Sequence, residues 1–268
     1  MPQDNAAITA RLELAREIAR EAGELTLRYF QQSGLTVDRK ADDSPVTVAD
    51  REAEKLLRAR IEATFADDGI IGEEFGQSSK DIDSKYQWIV DPIDGTKSFI
   101  CGVPLYGNLV AVTHGDRAVL GVMNFPALGE CVYAAVGQGA WYVRGSDPPQ
   151  PAKVSACGRL ADAVFLTSEV KTFYAKGREA AYLSLQDRAR LSRTWGDCYG
   201  YALVATGRAD VMVDPEMNVW DAAALQPILE EAGGTFTDWQ GQPTIHSGEG
   251  VATNGRIFDE VMKAIRAS

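Results

Sequence analysis

Between Ile8 and Tyr29, hydrophobic residues recur near positions 8, 12, 15, 18, 22, 25 and 29. That spacing places them on one face of a helix, so a long amphipathic helix is expected to open the chain. A polar connection follows over residues 34–45. Thr47 then stands three residues before Asp50, ahead of the apolar positions Ala53, Leu56, Leu57, Ile61 and Phe65. A hydroxyl and a carboxylate at this separation can satisfy the free amides of a helix start, which predicts a second helix.

After Asp67, Asp68 and Gly69 the period shortens. GIIGEE reads as a buried strand ending in carboxylates, and residues 76–85 read as a polar loop or flap. Residues 86–90, 109–114, 118–123 and 131–135 are short apolar runs bounded by Gly and Pro, as expected of a largely antiparallel sheet. The proline-rich SDPPQPAK at 146–153 is the best candidate linker. It divides the chain into an N-terminal α+β portion, 1–145, and a C-terminal α/β portion, 152–268. In the second portion, strands are expected at 163–167, 209–213 and 251–253. Helices are expected around 174–185, 199–205, 221–232 and 257–265, the third stopped by Gly233 and Gly234.

Composition narrows the classes of function. The 268 residues, 45% hydrophobic and 24% charged, suffice for a large folded core. A net charge of -11, from 27 basic and 38 acidic side chains, argues against a nucleic-acid partner or an anionic membrane surface. No segment approaches the roughly 20 apolar residues of a membrane span, and the start of the chain does not read as a secretion signal. Cys101, Cys131, Cys157 and Cys198 are widely spaced, which suits reduced thiols and a cytoplasmic protein. With only His114 and His246 beside them, a zinc site is not expected.

The densest chemistry lies in WIVDPIDGTKSFI, residues 88–100. An apolar strand delivers Asp91 rigidly, Pro92 restricts the backbone, Gly95 permits a close approach, and Thr96 falls near a helix start, where free amides can receive a phosphate. Hard oxygen ligands beside an anion site suit Mg²⁺ or Mn²⁺. Read alone, the same residues also describe a turn with two solvated aspartates. Glu73 and Glu74 close an apolar run, and Asp221 follows Trp220 at a helix start, where it could cap the helix or bind a cation.

IGEE at 71–74, WIVDPIDGT at 88–96 and VWDAAA at 219–224 resemble, in order and in separation, the motifs of the magnesium-dependent inositol monophosphatase-like phosphatases. The resemblance extends over nearly the whole chain. It implies a layered αβαβα sandwich and a two- or three-metal centre using Mg²⁺, with Mn²⁺ possible. It also implies a small-molecule phosphomonoester substrate and commonly a homodimer. One metal is implied between Glu73, Asp91, Thr96 and the carbonyl of Ile93, and a second between Asp91, Asp94 and Asp221. Asp50 and Thr96 are implied to orient or deprotonate the attacking water, with Glu73 assisting, and the amides of Gly95 and Thr96 to bind phosphate. Asp50 could also simply complete a helix capping box.

Within this family, SPVTVAD at 44–50, TWGDCYGY at 194–201 and the segment 214–234 are most similar to the histidinol-phosphate phosphatase type. That resemblance implies hydrolysis of L-histidinol phosphate and places Asp197 and Asp214 beside the leaving alcohol. Glu216 and Asn218 are further candidates for the substrate pocket. The alternatives are an inositol monophosphatase, a broader sugar-phosphate or nucleotide phosphatase, or a noncatalytic metal-binding protein. Asp214 could also act as a brace, and Trp195, Tyr199 and Tyr201 as packing residues.

Overall fold

The computed structural model describes residues 2–34, 36–39, 45–77 and 84–266. Lys40 and most of the expected 76–85 flap, residues 78–83, lie outside the described residues.

The two opening helices are α1 (Pro2–Leu27) and α2 (Val48–Thr64), and between them β1 (Val37–Arg39) pairs with β2 (Pro45–Thr47). Thr47 caps α2, and the Asp50 carboxylate returns a bond to the Thr47 amide, as the spacing predicts. Next come β3 (Gly69–Gly72), β4 (Gly76–Gln77), β5 (Tyr86–Asp94), the short α3 (Thr96–Ile100), β6 (Gly107–His114), β7 (Arg117–Phe125), β8 (Glu130–Ala135), β9 (Ala140–Arg144) and β10 (Gln150–Pro151). These strands form one sheet in the order β10-β9-β8-β7-β6-β5-β3-β4. Only the β3–β5 pairing is parallel.

The remaining elements are β11 (Val164–Leu166), α4 (Val170–Ala175), α5 (Glu179–Arg188), β12 (Leu191–Arg193), α6 (Cys198–Ala205), β13 (Val211–Asp214), α7 (Val219–Ala222), α8 (Leu225–Glu231), β14 (Thr235–Thr237), β15 (Gly250–Thr253) and α9 (Phe258–Arg266). The second sheet runs β12-β11-β13-β15-β14.

Alternation along the strands explains the layering. On β5 and β6, Trp88, Val90, Val110 and Val112 meet Ile18, Leu57 and Ile61 of α1 and α2. Their neighbours Ile89, Leu109 and Ala111 face the other way, into a core shared with Tyr201 of α6, Leu225 and Ile228 of α8, and Met212 and Phe236 of the second sheet. The far face of that sheet, through Phe165, Val211 and Val213, is covered by Phe173, Leu185, Val261 and Ile265 of α4, α5 and α9. The result is an α+β sandwich with layers in the order αβαβα. Both sheets are covered on both faces, so their strands read as continuous apolar runs.

Three sequence expectations are revised. The helix expected over 221–232 is two helices, because Pro227 would clash with the carbonyl four residues earlier if the turn continued; the chain restarts with Pro227 in the first turn of α8. The helical stretch at 174–185 is likewise divided, at Gly177, whose φ is 66°. The expected linker is no free connection. It carries β10 on β9, and Ala152 donates to the Ala140 carbonyl at 2.9 Å. Pro151 is tolerated there because it lies on an edge strand.

Candidate active site

In an uninterrupted strand, side chains three residues apart point to opposite faces, so Asp91 and Asp94 could not cooperate. Here Asp91 pairs with Leu109 and Asp94 with Gly107, so β5 spends one more residue than β6 over the same interval. This bulge turns both carboxylates to one side. The buried Asn108 holds the distortion in place, donating to the Pro92 carbonyl at 2.6 Å while its own Oδ1 accepts from Asn124 at 3.0 Å. Asp91 Oδ1 accepts the Ile93 amide at 3.0 Å, and the Thr96 hydroxyl donates to the Ile93 carbonyl at 3.1 Å. Gly95 has φ 84°, and a Cβ there would lie 2.9 Å from Asp197 Oδ2. Glycine is therefore required both by the backbone and by the close carboxylate.

Asp221 arrives from the opposite direction, on the first turn of α7. One of its oxygens accepts the Asn218 amide at 2.7 Å, completing a capping box. Carboxylate oxygens of Asp91, Asp94 and Asp221 lie within 4.8 Å of one another. Glu73, just beyond β3, stands close enough to the Asp91 carboxyl to interact with it. Burial pushes Asp91 and Asp94 well above the usual carboxylate range, with Glu73, Asp94 and Asp221 adding repulsion at Asp91, and Asp197 and Asp221 at Asp94. Asp221 is pushed up to about 7, mainly by burial and then by Glu73 and Asp197, against the Asn218 amide. Carboxylates this close stay together only with protons or a cation between them. A converging set of hard oxygen donors fits a divalent metal. Among the described residues, Asp91, Asp94 and Asp221 are the carboxylates that converge closely enough to hold it.

Asp50 is fully buried at the start of α2. Its Oδ2 accepts from the Thr47 amide at 2.8 Å and the Thr47 hydroxyl at 2.6 Å, while Oδ1 has no hydrogen-bond partner among the described residues. Burial, and then the Glu73 charge, raises its pKa. The expected Asp50–Thr96 pair is not hydrogen-bonded; Thr96 turns to Ile93 instead.

A narrow cleft of about 90 Å³ opens beside the cluster, lined by Asp94, Asp197, Cys198, Asp214, Glu216 and Asp221 among others. Asp197 precedes α6 at φ 51° and ψ -154°, a conformation that is costly outside glycine. It is held there because the Ser168 hydroxyl accepts the Asp197 amide at 2.9 Å, while Asp94 accepts the Cys198 amide at 2.5 Å. The Asp197 carboxyl is pushed up to about 6 by burial and by Asp214, opposed by Lys97 and Ser98. Asp214 is a brace: Thr167, the Ser168 amide, the Ser168 hydroxyl and Tyr201 donate to it at 3.0, 2.8, 2.9 and 2.9 Å. Glu216 stands at the rim, paired with Lys176 at 2.9 Å, and Asn218 is an exposed cap. Tyr199 packs edge-on against Phe125, and Trp195 is exposed.

The sequence reading overlooked Asn108, Ser168 and Glu54. Asn108 is a polar residue in an otherwise apolar strand and Glu54 sits among buried residues of α2, which was the one signal available; Ser168, in the bend between β11 and α4, carried none. Glu54 accepts the amides of Glu74 and Phe75 behind the metal candidates.

A family model described as "Inositol monophosphatase family" matches residues 8–268. A histidinol-phosphatase of Chlorobaculum parvum is 46% identical over 96% of this chain and 97% of its own length. One of Mycobacterium tuberculosis is 38% identical over 96% and 98%. Among solved structures, the extragenic suppressor protein suhB of Bartonella henselae has a TM-score of 0.87 at 28% identity, covering 96% of this chain and 98% of that one. Fold, site and relatives together define a metal-dependent phosphomonoesterase. The chain belongs to the inositol monophosphatase family.

Proposed function

We propose that this enzyme hydrolyses L-histidinol phosphate to L-histidinol and inorganic phosphate, using Mg²⁺ in two or three sites, with Mn²⁺ able to replace it. The observation that carries the substrate assignment is Asp197: a half-buried carboxylate pressed against Gly95, in the cleft that adjoins the acidic cluster. A neutral polyol has no need of such a charge, whereas the ammonium and imidazole groups of histidinol can donate charge-assisted hydrogen bonds to it. The names of the relatives from Chlorobaculum parvum and Mycobacterium tuberculosis support the same substrate.

When bound, the divalent ions supply Lewis-acid stabilisation of phosphoryl charge and lower the pKa of water. Glu73, Asp91, Asp94, Asp221 and the Ile93 carbonyl would hold them. The amides of Gly95 and Thr96 receive the phosphate oxygens. Asp50, through its Oδ1, which has no hydrogen-bond partner among the described residues, and together with Thr96, orients the attacking water and takes its proton, a role suited by a pKa that burial raises. Attack is in line at phosphorus, without a phosphoenzyme. Asp197 orients the leaving alcohol, with Asp214 bracing it and Glu216 and Asn218 at the edge of the pocket.

A panel of histidinol phosphate, inositol 1-phosphate, fructose 1,6-bisphosphate and adenosine 3',5'-bisphosphate tests the assignment under saturating Mg²⁺. Histidinol phosphate should give the highest kcat/KM, and Asp197→Asn should reduce that preference. Efficient turnover of a competitor with poor turnover of histidinol phosphate would select the inositol or sugar-phosphate reading instead. A homodimer in the cytoplasm completes the proposal. The four thiols are unpaired, and no helix among the described residues is long and apolar enough to cross a membrane.

A further inference from the structure

Behind the acidic cluster lies a carboxylate with no place in the ligand set. Glu54 is on α2, one helical turn after Asp50, and is fully buried. Its Oε2 accepts the Glu74 amide at 2.7 Å, and its Oε1 accepts the Phe75 amide at 3.2 Å and Arg58 Nε at 2.8 Å. Arg58 also donates through Nη2 to the Gly76 carbonyl. The turn after β3 is thus wrapped around a single carboxylate.

Gly72 forms the other wall of this cradle. A Cβ on it would fall 2.1 Å from Glu54 Oε1, and its φ is outside the left-handed region. Proximity to Glu54, rather than an unusual backbone angle, therefore demands glycine here. Burying a carboxylate is costly unless its oxygens are satisfied, so α2 and this turn are locked together. Glu73 lies between the two gripped features. Its amide donates to the Val90 carbonyl at 3.3 Å, and its side chain meets Asp91.

We propose that Glu54 is a positioning residue for the metal centre: by holding the Glu74 and Phe75 amides from behind, it fixes how Glu73 meets Asp91 and so sets the affinity for divalent cations. The inference rests on Glu73 being a metal ligand. Groups that orient ligands in this way typically govern affinity by about 10–100-fold. Glu54 also explains a sequence feature that the ligand set leaves unused, the glycine of IGEE.

The test is Mn²⁺ binding to the full-length protein without substrate, followed by electron paramagnetic resonance. Glu54→Gln replaces one acceptor oxygen by a donor facing an amide or Arg58, and should weaken binding by about 10–100-fold. Its kcat at saturating metal should change far less. Gly72→Ala, which drives a methyl group into the carboxylate, should weaken binding likewise. Adding Glu54→Asp to Gly72→Ala shortens the acid by one methylene and should restore part of the affinity, a non-additivity that general destabilisation does not produce.

Wild-type affinity in folded Glu54→Gln overturns the proposal. If that variant does not fold, the Gly72→Ala pair decides, and strict additivity overturns it. Glu73→Gln separates the two readings. If it binds Mn²⁺ normally, the ligand role of Glu73 fails and positioning falls with it; if it alone binds weakly, only the role of Glu54 fails.

Discussion

The oxygens of Asp50 meet different demands: one completes a helix cap on Thr47, and the other is buried with no hydrogen-bond partner among the described residues. The capping role was legible from the spacing TVAD. The unpartnered oxygen was not, because burial depends on what packs above it. The same holds for the acid cluster, whose pKa values yield a prediction. Without metal, Asp91, Asp94 and Asp221 bind protons more tightly in the folded protein than in the unfolded chain. Their contribution to stability is therefore complete below the ordinary carboxylate pKa of about 3.9 and is lost as pH rises through the folded values, about 7 at Asp221. A divalent cation displaces those protons, so saturating Mg²⁺ should raise Tm more at roughly pH 8 than at about pH 5.5. Calorimetry with and without Mg²⁺ checks this, and equal shifts at the two pH values would contradict a metal held by this cluster.

At the scale of elements, the bulge in β5 and the break between α7 and α8 carry the site. Pro227 lay inside a stretch read as one continuous helix, whereas Pro92 announced that something interrupts regular structure, but not that the interruption would turn Asp91 and Asp94 to one side. That outcome depends on the register with β6 and on Asn108 from the neighbouring strand. The α7–α8 junction is seated on β7 at Gly121, where a Cβ would lie 2.2 Å from the Ala224 carbonyl. Backbone cannot yield as a side chain can. Gly121→Ala should therefore cost about 1–3 kcal/mol, read from the urea midpoint, and should also weaken Mg²⁺ activation by displacing Asp221. Stability lost with unchanged Mg²⁺ dependence would show that the junction does not set Asp221.

For the whole molecule, the chain leaves the first sheet only after β10, past the division at 145 expected from sequence. We propose that the two portions are codependent halves of one folding unit. The central core joins Ile89, Leu109, Met123 and Phe125 of the first portion to Tyr201, Leu225, Ile228 and Phe236 of the second. A fragment of residues 1–145 would expose that entire sheet face, an extended apolar patch that soluble proteins avoid. Expressed alone it should aggregate and fail to bind Mn²⁺, and coexpression with 152–268 should restore both solubility and binding. A soluble, cooperatively unfolding 1–145 fragment would refute the codependence.

Hydrophobic period, helix caps and the spacing within WIVDPIDGT are local properties, set by interactions among near neighbours. By itself, then, the sequence determined the main helical and strand segments, though not their breaks, together with the resemblance to a phosphatase family and the candidate carboxylates. The resemblance implies that Asp221, more than a hundred residues from Asp94 in the chain, joins its cluster; tertiary structure alone decided how the chain brings them together, that Asp214 is spent on bracing, and that Glu54 grips the turn behind Glu73. Those outcomes arise from register, burial and the satisfaction of buried polar groups. Each depends on residues far apart in sequence that only packing brings together.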